Sequence, residues 1–353
     1  MNKKRILIML VVLAVLCVLV YLQVRAWKQF KWEEFREQTV HVNWWLIAAG
    51  VVLTYSAYAL RAIRWKIFLK PVCKTTSIRL LPAQFIGFTA LALLGRAGEV
   101  VRPYIIAKKE KLSFASQAAV WTVERIFDMG GFAVLLALSF LSSDLKSHVA
   151  LDWYYKLRWG AALIVGLVLG LVVAMVVIRK AGERVGDYLH GVFAQKFPPL
   201  AHHLQDKIRS FSLGLETIQG VSEALQLTGI SILMWLLIAV AYVAIMRAYP
   251  TTLHDSTLHD STLPMALVLM LVTMVGSLLQ LPGVGGGSQF ATIETLNHGF
   301  GISPELAVSC GMLLWAVTFM SVIPVGLLLA RYEQVSLRAV EEEAEQKAAA
   351  LTQ

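Results

Sequence analysis

The sequence predicts an all-α polytopic membrane protein with about six full transmembrane helices and two re-entrant helical hairpins, a pattern compatible with an inverted repeat. Three observations predict it. Of 353 residues, 57% are hydrophobic and only 16% charged, a balance no soluble globular domain needs. Uncharged runs of spanning length recur along the chain. The basic residues, finally, fall in alternate connecting segments. The net charge of +9 therefore reads as topology. No nucleic-acid motif accompanies it, and nucleic acid is not an expected partner.

The first span is Ile6 to Val24, 19 uncharged residues behind "MNKKR". No small-residue cleavage site follows, so an uncleaved helix with its N-terminus inside is expected. The second span, 42–60, opens on "VNWW", tryptophans suited to an interface. Between Arg61 and Lys111 lie eleven Lys and Arg against two acidic residues, which marks a cytoplasmic segment. Arg61, Arg64 and Lys66 read as orientation signals.

Inside that basic segment, Leu80 to Gly95 is uncharged for only 16 residues. It is short for a span and basic on both flanks, so a hairpin entering from the cytoplasm is expected, its end marked by "GRAGEVVRP". Spans follow at 116–142, 159–178 and 224–246. Between the last two, Leu204, Ile208, Phe211, Leu215 and Ile218 step by four and three. That spacing gives the cytoplasmic segment 179–223 an amphipathic helix. The tandem "TLHDSTLHDS", residues 252–261, reads as a duplicated loop in preference to a metal site.

Residues 261–293 carry no Asp, Glu, Lys or Arg, yet contain "LQLPGVGGGSQF". Proline and clustered glycines break a helix, and irregular backbone at membrane depth is tolerated only where protein buries it or where it lines a wet cavity. A second hairpin, entering from the opposite side, is the expectation; a plain loop between two full spans is the alternative. A last span covers 306–330. Residues 1–330 form a single transmembrane domain, and 331–353 a polar tail. With both termini cytoplasmic, the inward segments hold 23 of the 32 Lys and Arg and the outward segments eight, Arg125 lying within a span.

Three stretches carry candidate substrate-binding residues. In "GRAGEVVRP", Arg96, Glu99 and Arg102 are three apart and share a helix face. Two guanidiniums around one carboxylate keep positive charge, and guanidinium matches phosphate geometry; anchoring of a hairpin end is the plain alternative. In "VERIFDMGG", Glu124, Arg125 and Asp128 fall within one and a half turns. Arg125 and Asp128 can pair, and the carboxylate left over calls for an outside partner, Arg96 or Arg102. In the glycine-rich stretch, Pro282, Gly283 and Gly285 shape the backbone, with Gln289 and Glu294 beside them. No zinc, nucleophile–base or nucleotide-binding motif is present, so no cofactor, no metal and no enzymatic activity is expected. The three cysteines, Cys17, Cys73 and Cys310, stand singly and read as packing residues.

"GRAGEVVRPYIIAKK", "VWTVERIFDMGG" and "LPGVGGG" before a last span resemble the flippase-like membrane domain of bacterial lysylphosphatidylglycerol synthase/flippase proteins, over roughly residues 5–330. The resemblance implies a multi-pass protein of the bacterial cytoplasmic membrane that translocates a phospholipid or polyprenyl-phosphate-linked lipid, recognised at its anionic headgroup. It carries over to Arg96, Gly98, Glu99 and Arg102, to Glu124, Arg125 and Asp128, and to Pro282, Gly283 and Gly285. One departure is Gln289, where relatives often have Glu. The soluble aminoacyl-transferase domain of the two-part proteins is not in this sequence, so synthesis of lysyl-lipid is not expected. A homodimer, a partnership with a lipid-modifying enzyme or glycosyltransferase, and ion-coupled transport of a small solute are the other readings left open.

Overall fold

A computed structural model describes residues 32–141, 149, 151–163, 165–167, 170, 173, 220–250, 258–281 and 285–333. The expected first span, half of the fourth, the amphipathic segment, most of the duplicated loop and nearly all of the tail lie outside the described residues. What is described is all-helical apart from one two-residue β ladder.

The chain enters through α1 (Trp32–Val40) and then α2 (Trp44–Leu69). Asn43 starts α2, its side chain accepting from the Trp45 amide at 3.0 Å, the usual role of a short polar cap. The helix runs nine residues past the expected end of the second span. Its buried stripe continues through Ala57, Tyr58, Arg61, Arg64, Trp65 and Phe68 without a break.

Next comes a helical hairpin. Helix α3 (Ser77–Leu94) forms one arm; a 3₁₀ turn (Gly95–Val100) and α4 (Val101–Glu110) form the other. Gly95 makes the fold-back at φ 66°, ψ −144°, which only glycine adopts without strain. The feet meet again: Arg79 pairs with Glu110 at 2.9 Å and Thr75 donates to Glu110 at 3.1 Å. The expected hairpin was too small. Its charged "GRAGEVVRP" is not the mouth but the tip and the start of the return arm. Stretches such as Ser77–Glu110 have the length and apolarity of a span, but this one doubles back.

Helix α5 (Phe114–Leu141) follows, 28 residues long, with Glu124 and Asp128 near its middle. Residues 151–163 are helical, earlier than the expected start of the fourth span, and Tyr154, Leu157 and Ala161 join the core. Helix α6 (Val221–Met246) crosses α2 along its length, its last turn tied to the start of α2 where the Asn43 amide donates to the Ala248 carbonyl at 2.7 Å.

A second hairpin then forms. Helix α7 (Leu263–Gly276) is the first arm and α8 (Gly287–Glu294), continued by a π-helical turn (Thr295–Gly299), the second. Strands β1 (Gln280–Leu281) and β2 (Gly285–Gly286) close it near the tip, Gln280 opposite Gly286. Hydroxyls of Thr273 and Thr292 join the arms at 2.7 Å. At 14 residues, α7 reaches about 21 Å, short of the ~30 Å hydrocarbon core. The described ends of the glycine-rich stretch, Gln280–Leu281 and Gly285–Gly286, therefore pair at the tip of a short helical hairpin. Finally α9 (Pro304–Trp315), a π turn (Ala316–Met320) and α10 (Val322–Tyr332) form one long helical rod.

The two hairpins start from opposite ends of α2. The first has its feet at the C-terminal end of α2. The second begins just past the C-terminal end of α6, which sits at the N-terminal end of α2; there Arg247 donates to the Ser261 carbonyl at 2.8 Å. Two apolar clusters follow this division. One gathers Phe132, Tyr242, Met270 and Leu306 around the second hairpin; the other gathers Trp65, Ile86, Tyr104 and Val123 around the first.

Close glycine contacts set how tightly the elements approach, as in other membrane helix packings. Gly98 lies against the Ala90 backbone within the first hairpin, and Gly326 of α10 against Thr89. Gly98→Leu is expected to lower thermal stability by about 1–3 kcal/mol or prevent extraction as a single species, since overpacked sites cannot relax freely. Gly130 faces open space, so Gly130→Ala is expected to be neutral or to stabilise α5 by up to about 1 kcal/mol. Intrinsic-fluorescence melts in detergent, with size-exclusion profiles, check both.

Candidate functional site

At the middle of the molecule, α2, α4 and α5 bring five charged side chains together. Arg64 is the hub. Its guanidinium reaches Glu124 at 2.6 Å, Asp128 at 2.6 Å and the Ser231 hydroxyl at 2.7 Å. Arg61 pairs with Asp128 at 3.2 Å. Arg102, from the return arm of the first hairpin, grips both oxygens of Glu124 and also donates to Gln84 at 3.1 Å. All five are buried, Arg64 and Glu124 completely. Three guanidiniums meet two carboxylates, so the cluster keeps one positive charge.

Local sequence explains each placement. Glu124 and Asp128 are four apart on α5 and share a face. Arg61 and Arg64 continue the buried stripe of α2. Arg102 reaches inward because Gly87 lies opposite: a β-carbon there would come within 2.6 Å of the Arg102 β-carbon. Aromatic rings cover the guanidiniums, with Phe88 4.9 Å from Arg61 and Trp65 4.8 Å from Arg102, contacts that gain strength away from water.

Beside the cluster is a cavity of about 320 Å³. It lies between the hairpin tips. Leu91, Arg96 and Glu99 reach it from the first hairpin; Met274, Ser277, Ser288 and Gln289 from the second. Arg61 of α2, Arg125 of α5, Trp235 of α6 and Trp315 of α9 complete the wall. At the tip of the second hairpin, Gly286 takes φ 113°, and its amide donates to the Gln289 side-chain oxygen at 2.7 Å. That bond holds the first turn of α8 against the cavity.

The structure thus gathers Arg96, Glu99, Arg125 and Gln289 at one cavity, and places Arg102, Glu124 and Asp128 in the adjoining charge cluster. Arg102 also borders a small pocket with Glu99 and Arg125. Gly285 is in the β ladder. Pro282 and Gly283 lie outside the described residues. Glu294 is elsewhere, half-exposed and 3.4 Å from His298.

Two pairings differ from expectation and one matches it. Asp128 binds Arg61 and Arg64, not Arg125, because α2 packs on its face of α5. Of the two outside partners expected for the remaining carboxylate, Glu124 takes Arg102, because the fold-back at Gly95 leaves Arg96 at the tip. The carboxylate that Arg102 meets is accordingly Glu124, not Glu99. Arg61 and Arg64 are more than orientation signals. The clue was their spacing of three along a stripe that is apolar before and after them, where a purely topological arginine would face outward.

Removing Arg64 takes one guanidinium from each of two buried carboxylates, leaving Asp128 to Arg61 and Glu124 to Arg102 alone. Arg64→Met is expected to cost about 3–5 kcal/mol, the usual range for breaking a buried pair from one side. Arg125 has no carboxylate partner among the described residues, so Arg125→Gln is expected to cost under about 1 kcal/mol. Arg102→Gln combined with Glu124→Gln should cost less than the two single changes added. Thermal unfolding of the five variants, the double and its two singles included, checks this order.

Comparison with known proteins agrees with this architecture. Residues 6–326 match the family model of the "Lysylphosphatidylglycerol synthase TM region". A curated archaeal relative, the "UPF0104 membrane protein" of Methanothermobacter thermautotrophicus, is 26% identical over 295 residues, covering 81% of this chain and 85% of its own length. No solved structure matches. With the family model spanning nearly the whole chain, this multi-pass helical membrane protein belongs to the family of the lysylphosphatidylglycerol synthase transmembrane region.

Proposed function

We propose that the protein translocates a lipid bearing a phosphate headgroup between the leaflets of the cytoplasmic membrane. The observation that carries this reading is the cavity: it lies between the tips of two opposed hairpins and is lined by the guanidiniums of Arg61, Arg96 and Arg125 together with aromatic and uncharged polar side chains. Its volume suits a headgroup, while acyl chains would stay in the bilayer. Arg96 at the tip of the first hairpin meets the phosphate. Glu99 and the buried charge cluster set the local charge balance, and the Gln289-capped tip of the second hairpin forms the opposing wall or gate.

Opposed broken segments around a midplane site are a recurring transporter design. In this reading both hairpins are re-entrant, and the foot of the first, with Lys70, Lys74, Lys108, Lys109 and Lys111, faces the cytoplasm. Both termini then lie on that side. Headgroup access would alternate by small movements of the hairpin tips, while the buried cluster stays fixed.

Reconstituted vesicles carrying tail-labelled phospholipid test this. The protein is expected to accelerate exchange of the label between leaflets, and Arg96→Ala to slow it about tenfold, the scale of one charge-assisted contact. An unchanged rate in Arg96→Ala would remove the site assignment. No acceleration with any lipid would contradict translocation and leave membrane partnership or solute transport as the activity.

A further inference from the structure

The charges around the cavity are mostly of one sign. Arg61, Arg96 and Arg125 line the wall against one carboxylate, Glu99, and neither Arg96 nor Arg125 has a carboxylate partner among the described residues. Arg61 is 5% exposed and spends only one nitrogen on Asp128.

A ligand that brings anionic acceptors answers that positive charge, whereas one that brings an ammonium meets repulsion. From this charge imbalance we infer that the cavity selects net-anionic headgroups without an ammonium group, such as a phosphodiester of an uncharged alcohol or a phosphomonoester, over zwitterionic and cationic ones. Arg125 is the specificity-determining residue. The inference rests on the lipid-headgroup reading and narrows it.

The test uses the full chain, extracted gently and equilibrated with vesicles of equimolar phosphatidylglycerol, phosphatidylethanolamine and phosphatidylcholine; retained lipid is then measured by native mass spectrometry. Phosphatidylglycerol is expected to be retained about tenfold over the other two, with Arg125→Gln removing most of the preference. Glu99→Gln should sharpen the preference. Equal retention of the three lipids, or a preference that survives Arg125→Gln in a folded variant, would overturn the inference while leaving translocation intact. Binding of glycerol phosphate with no lipid retained would overturn both this inference and the lipid reading.

Discussion

One guanidinium holds the centre of this molecule. Arg64, from α2, binds both carboxylates of α5 and the Ser231 hydroxyl of α6. Glu124 in turn binds Arg102 of the first hairpin. Four elements of different chain position are therefore tied through one chain of charge-assisted bonds. Membrane helices gain little from burying apolar surface against each other, because lipid is as apolar as the core. Directional contacts between charged groups must then do more of the specifying. Each charge at this depth is costly alone, so the arrangement is close to all-or-none: every partner must be present.

The cluster also separates two packing regimes. On α5, Val120 and Val123 belong to the core around the first hairpin, Glu124 and Asp128 to the charged layer, and Phe132 and Leu136 to the core around the second. On α6, Leu227, Ser231 and Ala239 follow the same order. Each hairpin thus has its own apolar bed, and the charged layer lies between them. The hairpin tips, which cannot complete their own helical hydrogen bonding, meet beside that layer at the cavity. Irregular backbone at depth and buried charge, each unfavourable against lipid, are placed where each gives the other a polar neighbour.

Much of this was legible before any coordinates. The helices expected at 116–142, 224–246 and 306–330, and the two broken segments, follow from uncharged runs and from the breaks between them. The charged residues of "GRAGEVVRP" and "VERIFDMGG" were visible as a group because polar residues in apolar surroundings stand out. What was not legible was partnership. Asp128 could equally meet Arg125, three residues along, or an arginine from another helix, and spacing cannot decide between a local and a distant partner. The extent of the first hairpin was hidden for a related reason. Its return arm carries charges, so hydropathy ended the hairpin at Gly95, whereas the 3₁₀ turn and α4 bury Arg102 against Glu124 and keep going to Glu110. Glu294 shows the opposite error: nearness in sequence to the glycines did not bring it to the cavity.

The central claim is that the two hairpin tips face each other across one cavity. Cysteines at Leu91 and Ser277, in a chain with Cys17, Cys73 and Cys310 replaced by alanine, test it through short bifunctional thiol reagents applied to the protein in membranes. A Thr273 and Thr292 cysteine pair, whose hydroxyls are 2.7 Å apart within the second hairpin, serves as the positive control. An intramolecular link between positions 91 and 277 is the expected result. A control pair that links while 91 and 277 never do, with any reagent short enough to fit the cavity, would contradict the claim.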